Sequence, residues 1–328
     1  MRTIVLAAVI VSASIAQGAG QEPLRLVGTI DLPHVEGRID HMAFDPDGER
    51  LLISALGNGT VEVVDTRGGR RVRTLTGFRE PQGIAFAPSL DLVVVANGEG
   101  PGIQLLEGRD LRAGPAIALG DDADNVRYDA AEGRFYVGYA SGALAEIDPR
   151  QATVVGTVRL PAHPESFQLD PSGSRLFVNV PDAQEIAVID RRTMRVVSTW
   201  PVVGARSNFP MALDAAGHRL FIGCRQPARV LVYDVTTGKE VEAFDTVGDT
   251  DDLFYDAAQR RLYVSGGQGD VDVFQQTDTG GFHRIARVAT APGARTSLFV
   301  PAQHRLYVAV PHRGRQPASI RVYQTPGE

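Results

Sequence analysis

Between residues 41 and 310 one pattern of apolar and polar positions keeps returning. A short stretch that alternates or runs apolar ends at a turn, and a second apolar run, usually opened by Arg, follows. The first stretch reads His41-Met42-Ala43-Phe44-Asp45 in one copy, Asn125-Val126-Arg127-Tyr128-Asp129 in another and Asp252-Leu253-Phe254-Tyr255-Asp256 in a third. Its last position falls at 45, 87, 129, 170, 214, 256 and 301, a period of 41 to 45 residues over seven copies. The second run reads Arg50-Leu51-Leu52-Ile53-Ser54, Arg134-Phe135-Tyr136-Val137-Gly138 or Arg261-Leu262-Tyr263-Val264-Ser265. A third stretch such as Val61-Glu62-Val63-Val64-Asp65 and a more polar fourth, such as Val154 to Leu160, complete the period. Short alternating or apolar runs bounded by Gly, Pro, Asn and Asp are strand signals, and the 3.6-residue spacing of amphipathic helices is nearly absent.

Each period therefore predicts a four-stranded antiparallel meander. One meander cannot bury both of its faces, so such units pack face to face around an axis, and the expected fold is an all-β, seven-bladed β-propeller. The seventh period stops after its third strand, Ser319-Ile320-Arg321-Val322-Tyr323, whereas an orphan strand, Leu24 to Ile30, precedes the first. The orphan is expected to complete the last blade as its outer strand and so remove an open edge. Residues 21–328 are expected to form a single domain.

The strand, Asp-Pro-x-Gly or Asp-Ala-Ala turn, and Arg-Leu-Tyr-Val run appear in Asp45-Pro46-Asp47-Gly48-Glu49-Arg50-Leu51-Leu52-Ile53, in Asp170-Pro171-Ser172-Gly173-Ser174-Arg175-Leu176-Phe177-Val178-Asn179 and in Arg261-Leu262-Tyr263-Val264-Ser265. This pattern resembles the YVTN-type repeats of YncE-like seven-bladed propellers, and it also looks like the seven-bladed lactonase group. The resemblance spans nearly all of residues 24–325. It rests on turn and core positions, and such families host binding, scaffold and enzymatic members, so it implies fold more than function. No blade ends in the Trp-Asp pair of WD40 repeats. Quinoprotein propellers, by resemblance, staple their blades with repeated tryptophans; here Trp200 is the sole tryptophan, which argues against pyrroloquinoline quinone.

The bulk composition excludes several classes. With 43% hydrophobic residues, 22% charged residues and a net charge of −6, the chain has the balance of a globular protein and no basic footprint for nucleic acid. The densest basic group, Arg67-Gly68-Gly69-Arg70-Arg71, falls between two predicted strands and reads as a solvated turn. One cysteine, Cys224, lies in an apolar run and reads as a buried filler. CxxC, HExxH, CxxCH, P-loop, Gly-x-Gly-x-x-Gly and Gly-x-Ser-x-Gly motifs are missing, which removes haem, nucleotide and serine-hydrolase signatures. Residues 1–20, with Arg2, the run IVLAAVIVSASIA and the small residues Ala16 to Gly20, have the layout of a Sec-type signal peptide. The mature chain is expected in the periplasm or outside the cell, without a membrane span and as a monomer.

The repeat stops being repetitive at the mouth-side end of each inner strand. The pairs there are Asp40-His41, Gln82-Gly83, Asp124-Asn125, Glu165-Ser166, Phe209-Pro210, Asp251-Asp252 and Thr296-Ser297. Just upstream come Arg38, Glu80, Asp122, His163, Asn208, Asp249 and Arg295. Carboxylates of Asp40, Asp124, Glu165 and Asp251 facing one funnel repel each other unless something compensates. Carboxylate oxygens with Asn125 and Asn208 would suit a hard cation. His41 and His163 beside carboxylates would suit a transition metal or a general base. Arg38, Arg206 and Arg295 would neutralise the ring directly, and water-bridged side chains would need no ligand. The expected ligand-binding set is Arg38, Asp40, His41, Asp124, Asn125, Glu165, Asn208, Asp251, Asp252 and Arg295. Within it Asp40, His41, Asp124, Glu165 and Asp252 are the expected holders of a divalent metal. His218, His283, His304 and His312 are expected in solvent, and the recurrent Tyr and Phe of the strands in the core between blades. Two functions fit: an exported binding or scaffold propeller whose mouth meets a protein partner, small ligand or metal ion, and a hydrolase of lactones or small esters. A redox accessory is a third, without a cofactor motif.

Overall fold

A computed structural model describes residues 22–327. Residues 1–20, where a signal peptide is expected, lie outside the described residues. Seven four-stranded antiparallel sheets follow one another along the chain, each running in sequence order from its inner to its outer strand. Blade 1, for instance, consists of Met42–Asp45, Arg50–Ala55, Thr60–Asp65 and Arg70–Thr76. The exception is blade 7, in which Ser297–Val300, Arg305–Val310 and Ser319–Gln324 are completed by Arg25–Asp31. Ile30 pairs with Ile320 and Asp31 with Ser319, so both chain ends share one sheet as expected.

The burial pattern follows from the stacking of blades. In blade 1 the second strand is buried at five consecutive positions, Leu51 to Ala55, because both of its faces meet a neighbouring blade. The outer strand Arg70–Thr76 buries only Leu75 and leaves its other residues at the rim. Seven apolar clusters result, one at each junction between successive blades. The cluster that closes the ring joins Leu51, Ile53 and Val64 of blade 1 to Tyr307, Ala309 and Ile320 of blade 7. At the junction of blades 4 and 5, Trp200 lies against Phe177 and Tyr233. Cys224 is in the same cluster, and burial pushes its thiol up to about 12, which leaves it inert.

In five of the seven blades an Asp closes the inner strand, at 45, 129, 170, 214 and 256, and it has a local task. Asp45 accepts the Gly48 N–H at 2.9 Å and both Nε (2.8 Å) and Nη2 (2.6 Å) of Arg50, and Asp170 holds Ser172 and Arg175 in the same way. The turn and the Arg that opens the next strand are thereby tied together. His218, His283 and His304 are exposed as expected. His312 departs from expectation: half-buried, it places Nδ1 2.7 Å from Glu36 on the segment that crosses from blade 7 to blade 1. Phe44, Phe86 and Tyr128 also differ, since they pack on the interblade clusters with one side and line the central channel with the other. Among the described residues no helix is long and apolar enough to cross a membrane.

Candidate functional site at the channel mouth

The residues preceding the inner strands are held by main-chain bonds to the second strand of the same blade. Asp40 N–H donates to Ser54 O at 2.8 Å, Asp124 N–H to Gly138 O at 2.9 Å and Glu165 N–H to Asn179 O at 3.0 Å. Three blades thus present a carboxylate from the same rung. In blade 6 a bulge between Thr250 and Asp252 leaves Asp251 unpaired in the ladder, which re-aims its side chain. One position further on, where blade 1 has His41, blade 2 has Gly83 and contributes no side chain. A Cβ on Gly83 would stand 2.0 Å from the Asp124 carbonyl oxygen, so only glycine lets blade 3 approach this closely.

One side of the mouth is rich in ligands. Asp124, His163 and Glu165 each offer one atom, and the three atoms lie within 4.8 Å of one another. His163 Nδ1 sits 2.6 Å from Ala140 O and 3.3 Å from Asp122 Oδ2. In a neutral ring, donation from Nδ1 leaves Nε2 with its lone pair, the arrangement by which outer-shell acceptors set a metal-binding tautomer. Asp122 is itself positioned by Gln82, whose amide donates at 3.2 Å. Oδ1 of Asp124 is buried without a hydrogen-bond partner. Burial raises the Asp124 carboxyl to about 6; Asp40 and Asp251 push in the same direction while His41 and His163 oppose it. Glu165 is raised well above its ordinary value by burial, then by Asp124 and Asp251, against Arg225 and His41. Two carboxyls held high by their surroundings and an imidazole beside them make a donor set that a divalent cation would satisfy.

The opposite side is rich in arginine. Arg225 donates from Nη2 to Asp251 Oδ1 at 2.6 Å and from Nε to Thr250 O at 2.9 Å, with its guanidinium 3.8 Å from the ring centre of Phe209. Arg295 donates to Asp249 at 2.9 Å, and Arg38 donates to the fully buried Asp40 at 2.8 Å. Arg206, expected in this ring, is exposed and lines a separate surface hollow with Gln184, Gly204 and Pro227. Its place is taken by Arg225 because the second strand of blade 5, Arg219–Gln226, runs two residues longer than the six-residue second strand of blade 1. The sequence carried that signal in Cys224-Arg225-Gln226, the continuation of the apolar run past Gly223.

His41 stands between two cavities. A polar one of about 170 Å³ opens at the mouth among Arg38, Asp124, His163, Glu165, Arg225 and Asp251. A larger one of about 400 Å³ follows the inner strands and includes Phe44, Phe86, Arg127, Tyr128 and Asp252. His41 lines both. Its Nδ1 is 3.6 Å from Asp252 Oδ1, and its Nε2 is 3.9 Å from both Asp40 Oδ1 and Asp124 Oδ1. Burial disfavours the charged ring, but Asp252 by charge and hydrogen bond, then Asp40 and Asp124 by charge, outweigh it and raise His41 to about 10.

Of the five residues expected to hold metal, Asp124 and Glu165 therefore converge, and the imidazole that joins them is that of His163. Asp40 is engaged by Arg38, His41 is wedged among carboxylates, and Asp252 faces the deeper cavity. Asn208 turns away from the mouth: its amide donates to Asn179 Oδ1 at 3.0 Å and to Glu185 O at 3.2 Å between blades 4 and 5. Asn125 is buried outside both cavities, with its side-chain oxygen unpartnered.

Many solved chains are similar in fold. A chain of Kuenenia stuttgartiensis hydrazine synthase aligns with a TM-score of 0.75 at 18% identity, over 84% of this chain and 94% of that one. A chain of a mitotic checkpoint complex aligns with a TM-score of 0.78 at 13% identity, over 100% of both chains. Identities this low show the seven-bladed propeller and nothing of its activity. No protein-family model matches the chain, and no curated protein matches it.

Proposed function

We propose that this chain is an exported binding propeller that holds a divalent transition-metal ion at its mouth and presents it to a small ligand or to a side chain of a partner protein. The observation that carries this reading is the convergence of Asp124, His163 and Glu165 within 4.8 Å, with one Asp124 oxygen buried and unpartnered. One imidazole and two carboxylates suit zinc or manganese better than calcium, which prefers six to eight oxygens. Three protein ligands leave coordination positions open, and Arg38, Arg225 and Arg295 would favour an anionic group there. Export is supported by the pattern of residues 1–20.

Hydrolysis of lactones or small esters is the second reading, favoured by the same open cluster beside His41. A metal held by Asp124, His163 and Glu165 would supply Lewis acidity and lower the pKa of a water it binds. In that case Arg225 and Arg38 would orient an anionic substrate, and His41, pressed among carboxylates, would hold a proton near the site. Elemental analysis of the natively exported protein tests the first reading. One equivalent of metal in the parent protein, lost in His163→Ala, is expected; a metal-free parent that also fails to take up zinc or manganese would sink it. Lactone and ester turnover by the metal-loaded protein then separates the two readings.

A further inference from the structure

The deeper cavity contains a charge that the fold does not require. In the five-residue inner-strand motif the third position is Ala in three blades, at Ala43, Ala85 and Ala212, and Arg127 in blade 3. The pairing confirms the equivalence: Ala43 faces Leu52, Ala85 faces Val94, Ala212 faces Phe221 and Arg127 faces Tyr136, each on the second strand of its own blade. Arg127 donates to the Val126 carbonyl at 2.9 Å and to Ser166 Oγ at 3.1 Å, and its guanidinium lies 5.5 Å from the ring centre of Phe167. Both hydrogen-bond acceptors are neutral, and no carboxylate among the described residues is within ion-pair distance of it. Burial works against its charge, eased by Asp252 and Asp124 at longer range. Asp252, the carboxylate on this wall, already accepts the Ser297 N–H at 2.8 Å and faces His41.

Around this guanidinium the wall is mixed, with His41, Ser166, Gln168 and Asp252 on it beside a continuous apolar part. Phe44, Phe86, Tyr128, Met211, Phe254 and Leu298 line the same 400 Å³, a volume suited to a ligand of roughly a dozen non-hydrogen atoms. A half-buried arginine without an ion-pair partner favours a planar anion that takes two of its N–H donors, and the aromatic part of the wall favours an apolar body attached to that anion. We propose that the channel below His41 is a second binding site, separate from the metal cluster, for a monocarboxylate with an aryl or alkyl tail, its carboxylate on Arg127 and its tail among Phe44, Phe86 and Phe254.

The test compares 4-phenylbutyrate with the neutral 4-phenylbutanol by titration calorimetry of the full mature chain, with and without a chelator. A charge-assisted bond to a buried partner corresponds to about 10- to 100-fold in affinity, so the carboxylate is expected to bind at least about 10-fold tighter than the alcohol. Chelation should leave that preference intact. In Arg127→Gln the carboxylate should fall to the affinity of the alcohol while the alcohol is unchanged. Phe254→Trp, in a chain whose one native tryptophan is Trp200, puts a fluorophore on the cavity wall, and its emission should shift as the carboxylate binds. Equal affinities in the parent protein, loss of binding on chelation, or an unmoved emission from the introduced indole during saturable binding would each overturn the proposal. So would an equal loss for both probes in Arg127→Gln, because that marks a purely structural staple between blades 3 and 4. The parent-protein and fluorescence arms stand even where Arg127→Gln does not fold.

Discussion

His41 Nδ1 lies 3.6 Å from Asp252 Oδ1, and the second oxygen of that carboxylate accepts the Ser297 N–H at 2.8 Å. Blades 1, 6 and 7 are thereby linked at the axis through one imidazole and one carboxylate. The folded protein holds the His41 proton up to about pH 10, against an ordinary value of 6.5. Because the folded-state value is raised, the stabilisation is fully present below pH 6.5 and is lost as pH climbs through 10. Within that window its share of the unfolding free energy should fall by about 1.4 kcal/mol per pH unit. Urea midpoints measured from pH 6 to 10 should decline more steeply for the parent than for His41→Gln. Parallel curves would contradict the pairing.

Metal uptake should depend on pH in the opposite sense. A cation competes with protons for Asp124, raised to about 6, and for Glu165, also raised. Zinc or manganese affinity is therefore expected to climb between pH 5 and 7, with about a tenfold change per unit for each proton displaced. Asp124→Asn should flatten the profile as well as weaken binding. A competition titration with a chromophoric chelator at several pH values reads both, and a flat profile in the parent would place the metal elsewhere.

Arg225 is the hub of the cationic side. Its replacement by Met leaves Asp251 facing Asp40 and Glu165 without its 2.6 Å partner. Breaking this half-buried, charge-assisted bond is expected to cost about 1.5–3 kcal/mol at neutral pH. The cost should shrink at pH 5, since Asp251 is raised by burial and by Asp40 and accepts a proton more readily once Arg225 is gone. Arg206→Ala, at the exposed surface, should change stability by less than about 0.5 kcal/mol. Chemical denaturation of the two variants at both pH values distinguishes the roles.

Gly83→Ala should be felt across the blade junction. Its new Cβ would meet the Asp124 carbonyl oxygen at 2.0 Å and Val126 Cγ2 at 2.9 Å. Over-packing of this kind is expected to cost about 1–3 kcal/mol, and the shift of Asp124 should weaken metal binding in the same variant. Normal metal affinity together with lost stability would show that the junction yields on the blade 2 side.

The ring and its closure were legible in the sequence because they depend on a local rule. Strand faces alternate every two residues, and the Asp45, Asp129 and Asp256 positions mark where each inner strand ends, so seven periods translate directly into seven sheets. The orphan strand ahead of blade 1 had one three-stranded blade to complete, along the edge of Ser319–Gln324. The wall of the mouth was legible as a set of positions, since Asp124, Glu165 and Asp251 break the repeat where it is free to vary.

Which of those positions share a site was decided by the tertiary structure alone. His163 and Asp124 are brought together by the turn of the ring from blade 3 to blade 4, a packing angle that no alternation encodes. A single bulged residue reverses the face that follows it, and the bulges near Asn208 and Asp251 send the first toward Asn179 and aim the second at Arg225. Strand length acted similarly in blade 5, where two extra residues put Arg225 rather than Arg206 at the mouth. Periodicity thus determined the scaffold through interactions between neighbours in sequence, whereas the site joins Asp124 to His163 and Glu165, about 40 residues further along, and that meeting depends on how the blades close.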